Sequence, residues 1–138
     1  MAGNIRFGSV AAVLRVADVS RSMRWYEETL GLKAHPFPKH EPYVFCVLEG
    51  ERIRIMLRRQ PGYERHPAFR NCDLYITVRD NTLRDVYEDL RRRATVVREL
   101  EHMPYGDCEF EIVDPDGYFV CISELLDDPS GIPHAREG

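Results

Sequence analysis

Apolar and polar residues along the chain fall into short runs and stripes that occur twice in the same order. Ser9-Val10-Ala11-Ala12-Val13-Leu14-Arg15-Val16 is an apolar run of strand length, followed at Asp18 by a carboxylate suited to a helix N-terminus, with Ser20 as a competing cap. Met23, Tyr26, Glu27 and Leu30 recur at helical spacing, and Gly31 stands where a left-handed C-cap would stop the helix. The spacing predicts a helix over about Ser20 to Leu30. His35-Pro36-Phe37-Pro38 cannot continue a helix and favours an extended or loop path. Tyr43 to Leu48 and Arg52 to Leu57 then read as a hairpin across the Glu49-Gly50 turn.

The second pass begins at Asp73-Leu74-Tyr75-Ile76-Thr77-Val78, and Val78-Arg79-Asp80 repeats Val16-Ala17-Asp18. Leu83, Val86, Tyr87 and Leu90 give a helix with one apolar stripe and a charged outer face. Strands are expected at Thr95 to Leu100, Cys108 to Val113 and Tyr118 to Glu124, with a turn at Asp114-Pro115-Asp116-Gly117. Gln60 to Arg70, with Pro61, Gly62 and Pro67 and no periodicity, reads as a linker. The expectation is an α+β chain of two tandem βαβββ modules. Module one covers about residues 8–60, the linker 61–70 and module two about 71–125, with a loose tail at 126–138. Together they form a single domain, 1–138, because half a chain of 138 residues buries too little surface to stand alone.

A net charge of −4 with both signs interspersed leaves no electrostatic footprint for nucleic acid, and Arg58-Arg59 and Arg91-Arg92-Arg93 read as solvated rims. No stretch approaches the roughly 18 apolar residues of a membrane span, and the N-terminus starts no signal-peptide pattern. A soluble, cytoplasmic protein without nucleic-acid or membrane partners is expected. Cys46, Cys72, Cys108 and Cys121 are widely spaced, without Cys-x-x-Cys, and read as small core hydrophobes without disulfides. The five histidines lie in loops or near turns with no metal-ligand spacing; His66 and His102 are the two to place against a cavity.

Arg24-Trp25-Tyr26-Glu27-Glu28-Thr29-Leu30-Gly31-Leu32 resembles the aromatic-Tyr…Leu-Gly signature that ends the first helix in the vicinal oxygen chelate superfamily. Tyr105-Gly106-Asp107-Cys108-Glu109-Phe110-Glu111 through Asp114-Pro115-Asp116-Gly117 is similar to a run of its glyoxalase and bleomycin-resistance branch. The resemblance implies two tandem βαβββ modules with curled mixed sheets enclosing a cavity, commonly completed in a homodimer. It also implies a divalent metal held by His or Glu, five residues before the Val of Val-x-Asp or four after the turn Gly. Here those positions carry Ala11, Arg54 (Met56 if the hairpin slips by two residues), Asp73 and Cys121. A methyl group, an arginine, one carboxylate and one thiol do not make a hard-metal site, so a degenerate site with no metal and no cofactor is expected.

Strand alternation places Ala11, Arg54, Asp73 and Cys121 on the cavity side with Val13, Arg15, Met56, Tyr75, Thr77, Glu109, Glu111 and Phe119. Asp73 either faces the cavity or caps a turn, and Cys121 either lines the wall or acts as a thiolate. Such a lining suits a polar or cationic organic ligand with a flat portion. Arg54, Asp73, Tyr75, Tyr105, Glu109, Glu111 and Cys121 are the candidate ligand contacts, with Asp73 or Glu111 as the resting partner of Arg54. Trp25 is either a stacking surface or a core residue between helix and sheet. The leading reading is a non-enzymatic protein, resembling bleomycin-resistance proteins, that sequesters a small molecule in a dimer cavity. The alternatives are a glyoxalase-type lyase, isomerase or dioxygenase with atypical metal ligands, and a dimeric scaffold without a ligand.

Overall fold

The computed structural model describes residues 2–66, 71–79, 82–104 and 108–124. The chain divides into two compact units, Met1–Tyr63 and Glu64–Gly138, and each holds one βαβββ module. After a 3-10 turn at Ala2–Asn4, the first module runs β1 (Ala12–Val16), α1 (Val19–Leu30), β2 (Lys33–Phe37), β3 (Phe45–Gly50) and β4 (Ile53–Arg59). Its sheet has the order β1-β4-β3-β2, with β1 parallel to β4 and the other pairs antiparallel. The second module repeats this with β5 (Cys72–Thr77), α2 (Leu83–Arg93), β6 (Thr95–His102), β7 (Cys108–Val113) and β8 (Phe119–Glu124), in the order β5-β8-β7-β6. Each parallel pair joins the strand that precedes a helix to the last strand of its module, the crossover that a βαβββ unit requires.

Asp18 caps α1 as its position implies: its carboxylate accepts from the Arg21 N–H at 3.2 Å, and Gly31 ends the helix at φ 69°. The buried stripe differs from the one the apolar residues suggest. Val19, Ser22, Tyr26 and Thr29 face the sheet, whereas Met23 and Leu30 are half-buried and Glu27 is exposed. Small hydroxyl side chains at Ser22 and Thr29 let the helix approach the strands closely, and Tyr26 fills the remaining space. Trp25 is half-buried, its ring edge-on to Tyr26 at 4.8 Å. In the second module Leu83, Tyr87 and Leu90 carry the contact, and the Tyr87 ring meets Phe110 of β7 at 5.1 Å. The outer face of α2 pairs Arg91 with Glu88 and Arg93 with Asp89. The α2 N-cap is Thr82, which makes no side-chain cap hydrogen bond; Asp80 lies outside the described residues.

The β3–β4 hairpin turns two residues later than Glu49-Gly50 implies. Gly50 pairs with Ile53, so the loop is Glu51-Arg52, and the positive φ of 62° falls on Arg52. Gly50 serves packing instead, because a Cβ there would lie 2.7 Å from Leu32 Cδ2. At the β7–β8 turn the resemblance holds in detail. Asp114 is buried, and its Oδ1 accepts from the N–H groups of Asp116 at 2.8 Å and Tyr118 at 2.9 Å, while Gly117 takes φ 90°. Of the expected linker the structure describes 61–66, and there the Arg65 guanidinium lies over the Tyr118 ring at 4.9 Å and pairs with Asp73 at 2.5 Å.

Candidate functional site

The chemistry of the second module collects on the sheet face turned away from α2. Phe110 and Ile112 of β7 and Val120 and Ile122 of β8 are buried, so alternation sends Glu109, Glu111, Cys121 and Ser123 to the other side. Register then lines up one residue from every strand. Arg98 of β6 pairs with Glu111 of β7, Glu111 with Cys121 of β8, and Cys121 with Tyr75 of β5. The next row carries Glu101, Glu109, Ser123 and Thr77 in the same strand order.

Arg98 organises this face. Its guanidinium donates to Glu101 at 2.9 Å and to Glu109 at 2.9 Å, with Glu111 at 3.4 Å and the Cys121 sulfur at 3.6 Å. Burial alone would make the guanidinium a stronger acid, but the hydrogen bonds to Glu101 and Glu109 outweigh it and raise the pKa above the ordinary arginine value. The Tyr75 hydroxyl donates to Glu109 at 3.1 Å. The Glu109 side chain is only 4% exposed, that of Glu111 13%, and Tyr75 as a residue 44%. Three carboxylates share one guanidinium, so the cluster carries net negative charge beside an exposed phenol ring.

Asp73 does not join this cluster. A bulge in β5 between Cys72 and Leu74 takes it out of register, and its two oxygens accept from Arg65 and from the Phe119 N–H at 2.8 Å. Of the two readings for Asp73, the structural one matches these contacts. The same bulge sends Cys72 to the functional face, so Cys72 departs from the core reading: the residue is exposed, and its sulfur, the Cys121 sulfur and a Glu111 oxygen all lie within 4.8 Å of one another. Cys46 and Cys121 are buried as expected, and Cys108 is half-buried, 3.5 Å from His102 Nδ1. Burial, reinforced by the charge of Glu109, pushes the Cys121 thiol up to about 12; burial also raises Cys72, with Glu111 and Asp73 adding to the effect. Both are protonated thiols at neutral pH.

In the first module Arg54 pairs across the hairpin with Glu49 at 3.2 Å and donates to Ser9 Oγ at 3.5 Å, both ends of the ion pair being half-exposed. Within the first module its partner is Glu49. Arg54 borders an open cavity of about 320 Å³ with Ser9, Glu49 and Ile53. His66 is exposed, and Tyr105 lies outside the described residues. The residue that sequence reasoning missed is Arg98. Its signal was an arginine at an alternating position of a strand that also carries Val96, Val97 and Glu99, but only the β6–β7 register shows that it meets Glu109 and Glu111 beside Glu101 of its own strand.

The fold agrees with the comparisons. The Glyoxalase/Bleomycin resistance protein/Dioxygenase superfamily matches residues 6–122. No curated protein matches the chain in sequence. Among solved structures, TioX from Micromonospora sp. ML1 is 17% identical with a TM-score of 0.68, covering 87% of this chain and 100% of its own. A glyoxalase/bleomycin resistance protein/dioxygenase from Alicyclobacillus acidocaldarius is 16% identical with a TM-score of 0.70, covering 91% and 96%. A virulence protein from Salmonella typhimurium is 25% identical with a TM-score of 0.65, covering 88% and 99%. With the family matched over most of its length and the βαβββ unit present twice, the chain belongs to the Glyoxalase/Bleomycin resistance protein/Dioxygenase superfamily.

Proposed function

We propose that this chain binds a small organic cation with a flat portion, without chemical conversion, on the face built by Arg98, Glu109, Glu111, Cys121 and Tyr75. The observation that carries the reading is the charge balance: Glu101, Glu109 and Glu111 converge on the single guanidinium of Arg98. A partly buried excess of carboxylate favours a cationic group, which recovers Coulomb energy that water would otherwise screen. The exposed Tyr75 ring supplies a flat apolar surface beside that charge and a cation–π contact.

The metal that serves many superfamily enzymes does not fit the residues at the corresponding positions. Ala11 has no donor atom, Arg54 brings positive charge and rests on Glu49, and Asp73 is engaged by Arg65 and a backbone N–H. Cys121 presents a protonated thiol where a hard cation needs carboxylate or imidazole. No step is routed through such a metal. No helix among the described residues is long and apolar enough to cross a membrane. Phe7 and Val10, 88% and 89% exposed, with Val13, Phe37 and Val44 more than half exposed, support association of two copies of the chain as a homodimer.

Benzamidine and benzoate test the reading, since they share a planar ring and differ in the sign of the attached group. Benzamidine is expected to raise the unfolding temperature and benzoate to leave it unchanged, because only a ligand that prefers the folded form stabilises it. Equal stabilisation by both, or by neither, would count against a cation site.

A further inference from the structure

We propose that Cys72, Cys121 and Glu111 form a binding site for a thiophilic d10 cation, built wholly within the second module and sharing only Cys121 with the superfamily's hard-metal positions. Two of the three donors, Cys72 and Glu111, stand at none of those positions. Cys72 reaches the site only because the β5 bulge adds one residue between it and Tyr75, the register partner of Cys121. The result is two sulfurs and a carboxylate oxygen mutually within 4.8 Å. A single tetrahedral ion with metal–sulfur bonds of about 2.3 Å and metal–oxygen bonds of about 2.0–2.2 Å holds such donors roughly 3.5–3.8 Å apart, so small side-chain rotations close the remaining gap. Soft thiolate donors select a soft cation over magnesium or manganese, and three protein ligands leave a fourth position for solvent.

The surrounding charges are compatible with this assignment. On metal binding both thiols lose their protons, and with Glu111 they present three negative charges to a divalent ion. The divalent ion offsets two of the three, and Arg98, 3.4 Å from Glu111 and 3.6 Å from the Cys121 sulfur, lies beside the third while still shared with Glu101 and Glu109. It keeps Glu101 and Glu109 as partners, each at 2.9 Å, when Glu111 turns to the ion. The Cys72 sulfur, which donates to the Leu74 carbonyl at 3.1 Å, gives up that weak bond. The Cys72 side of the site is exposed, which provides an entry path. Glu111 and Cys121 also stand on the face proposed for an organic cation, but all three donors come from the chain itself, so the assignment does not depend on that ligand.

The test is titration of the reduced full chain with cadmium, following thiolate-to-metal charge-transfer absorption in the near ultraviolet. One equivalent is expected to saturate the signal, and excess magnesium or manganese is expected not to displace it. Cys72→Ser, at an exposed position where folding is not at risk, is expected to weaken cadmium binding at least tenfold, and Glu111→Gln severalfold. Cys121→Ser is checked for folding by circular dichroism; should it fail to fold, Cys72→Ser and Glu111→Gln decide the question. Cys108→Ser, which removes the alternative Cys108–His102 pair, is expected to leave the titration unchanged, as is Tyr75→Ala. Absence of a saturable signal, full binding by Cys72→Ser, or loss of binding on Cys108→Ser would each overturn the assignment.

Discussion

Removing the Arg98 head group while keeping its bulk, by Arg98→Met, isolates the charge that holds the functional face together. Glu109 and Glu111, 4% and 13% exposed at the side chain, would lose their common counter-charge, and Glu109 would retain only the Tyr75 hydroxyl as a named partner. Breaking a fully buried ion pair from one side costs about 3–5 kcal/mol. Arg98 itself is 30% exposed and Glu111 borders solvent, so the expected loss is nearer about 2–3 kcal/mol. A second substitution, Glu109→Gln in the Arg98→Met background, leaves a neutral amide that still accepts from Tyr75. It is expected to restore about 1–2 kcal/mol, because the stranded charge and not the lost contact dominates the penalty. Urea unfolding followed by far-ultraviolet circular dichroism reports both modules, whereas fluorescence of the lone Trp25 would report only the first. An Arg98→Met protein within about 0.5 kcal/mol of the parent, or a double variant no more stable than the single, would refute the claim that Arg98 neutralises this face.

The Asp114 turn gives a second stability test: Asp114→Ala removes two buried charge-assisted acceptances and is expected to cost about 2–3 kcal/mol, whereas Asp114→Asn should cost less than half of that in the same urea assay. Cys121 offers a test in the alkaline range. Its folded thiol, pushed up to about 12 from an ordinary value of 9.0, binds its proton more tightly than the unfolded chain does. Stability from that thiol is therefore complete below pH 9 and is lost as pH rises toward 12. Cys121→Ala should flatten the alkaline limb of the stability profile, and an unchanged limb would contradict the assignment. For the homodimer, sedimentation at tens of micromolar is expected to give twice the 16.1 kDa chain mass, and a monomer would count against association through Phe7, Val10 and the exposed sheet residues.

The repeat was legible because its punctuation is chemical. Asp18, Gly31, Asp114 and Gly117 each supply a cap or a backbone conformation that few other residues supply, and the structure uses all four in those roles. What the sequence hid was register. Alternation assigns Asp73 to the functional face, but a single bulge exchanges it for Cys72, and nothing in the composition of Asn71-Cys72-Asp73-Leu74 marks a bulge. Arg98 was hidden for a related reason: β6 pairs with β7 through two irregularities, so its alignment with Glu111 is not a simple count from the turn. The α1 stripe was displaced because Ser22 and Thr29 are polar by type yet small enough to sit closest to the sheet. Glu109 and Glu111 were legible from alternation on β7 alone, since that strand is regular where it meets β8.

The central claim is that an excess of carboxylate around Arg98 and Tyr75 receives an organic cation. Isothermal titration of benzamidine into the parent chain, Glu111→Gln and Tyr75→Ala tests it most directly, with benzoate as the matched anion. Loss of one partly buried charge–charge contact is worth about 1–1.5 kcal/mol, so Glu111→Gln is expected to weaken benzamidine roughly tenfold, and Tyr75→Ala to weaken it by a smaller factor. Parent and variants that bind benzamidine equally, or a parent that binds benzoate as well as benzamidine, would contradict the account.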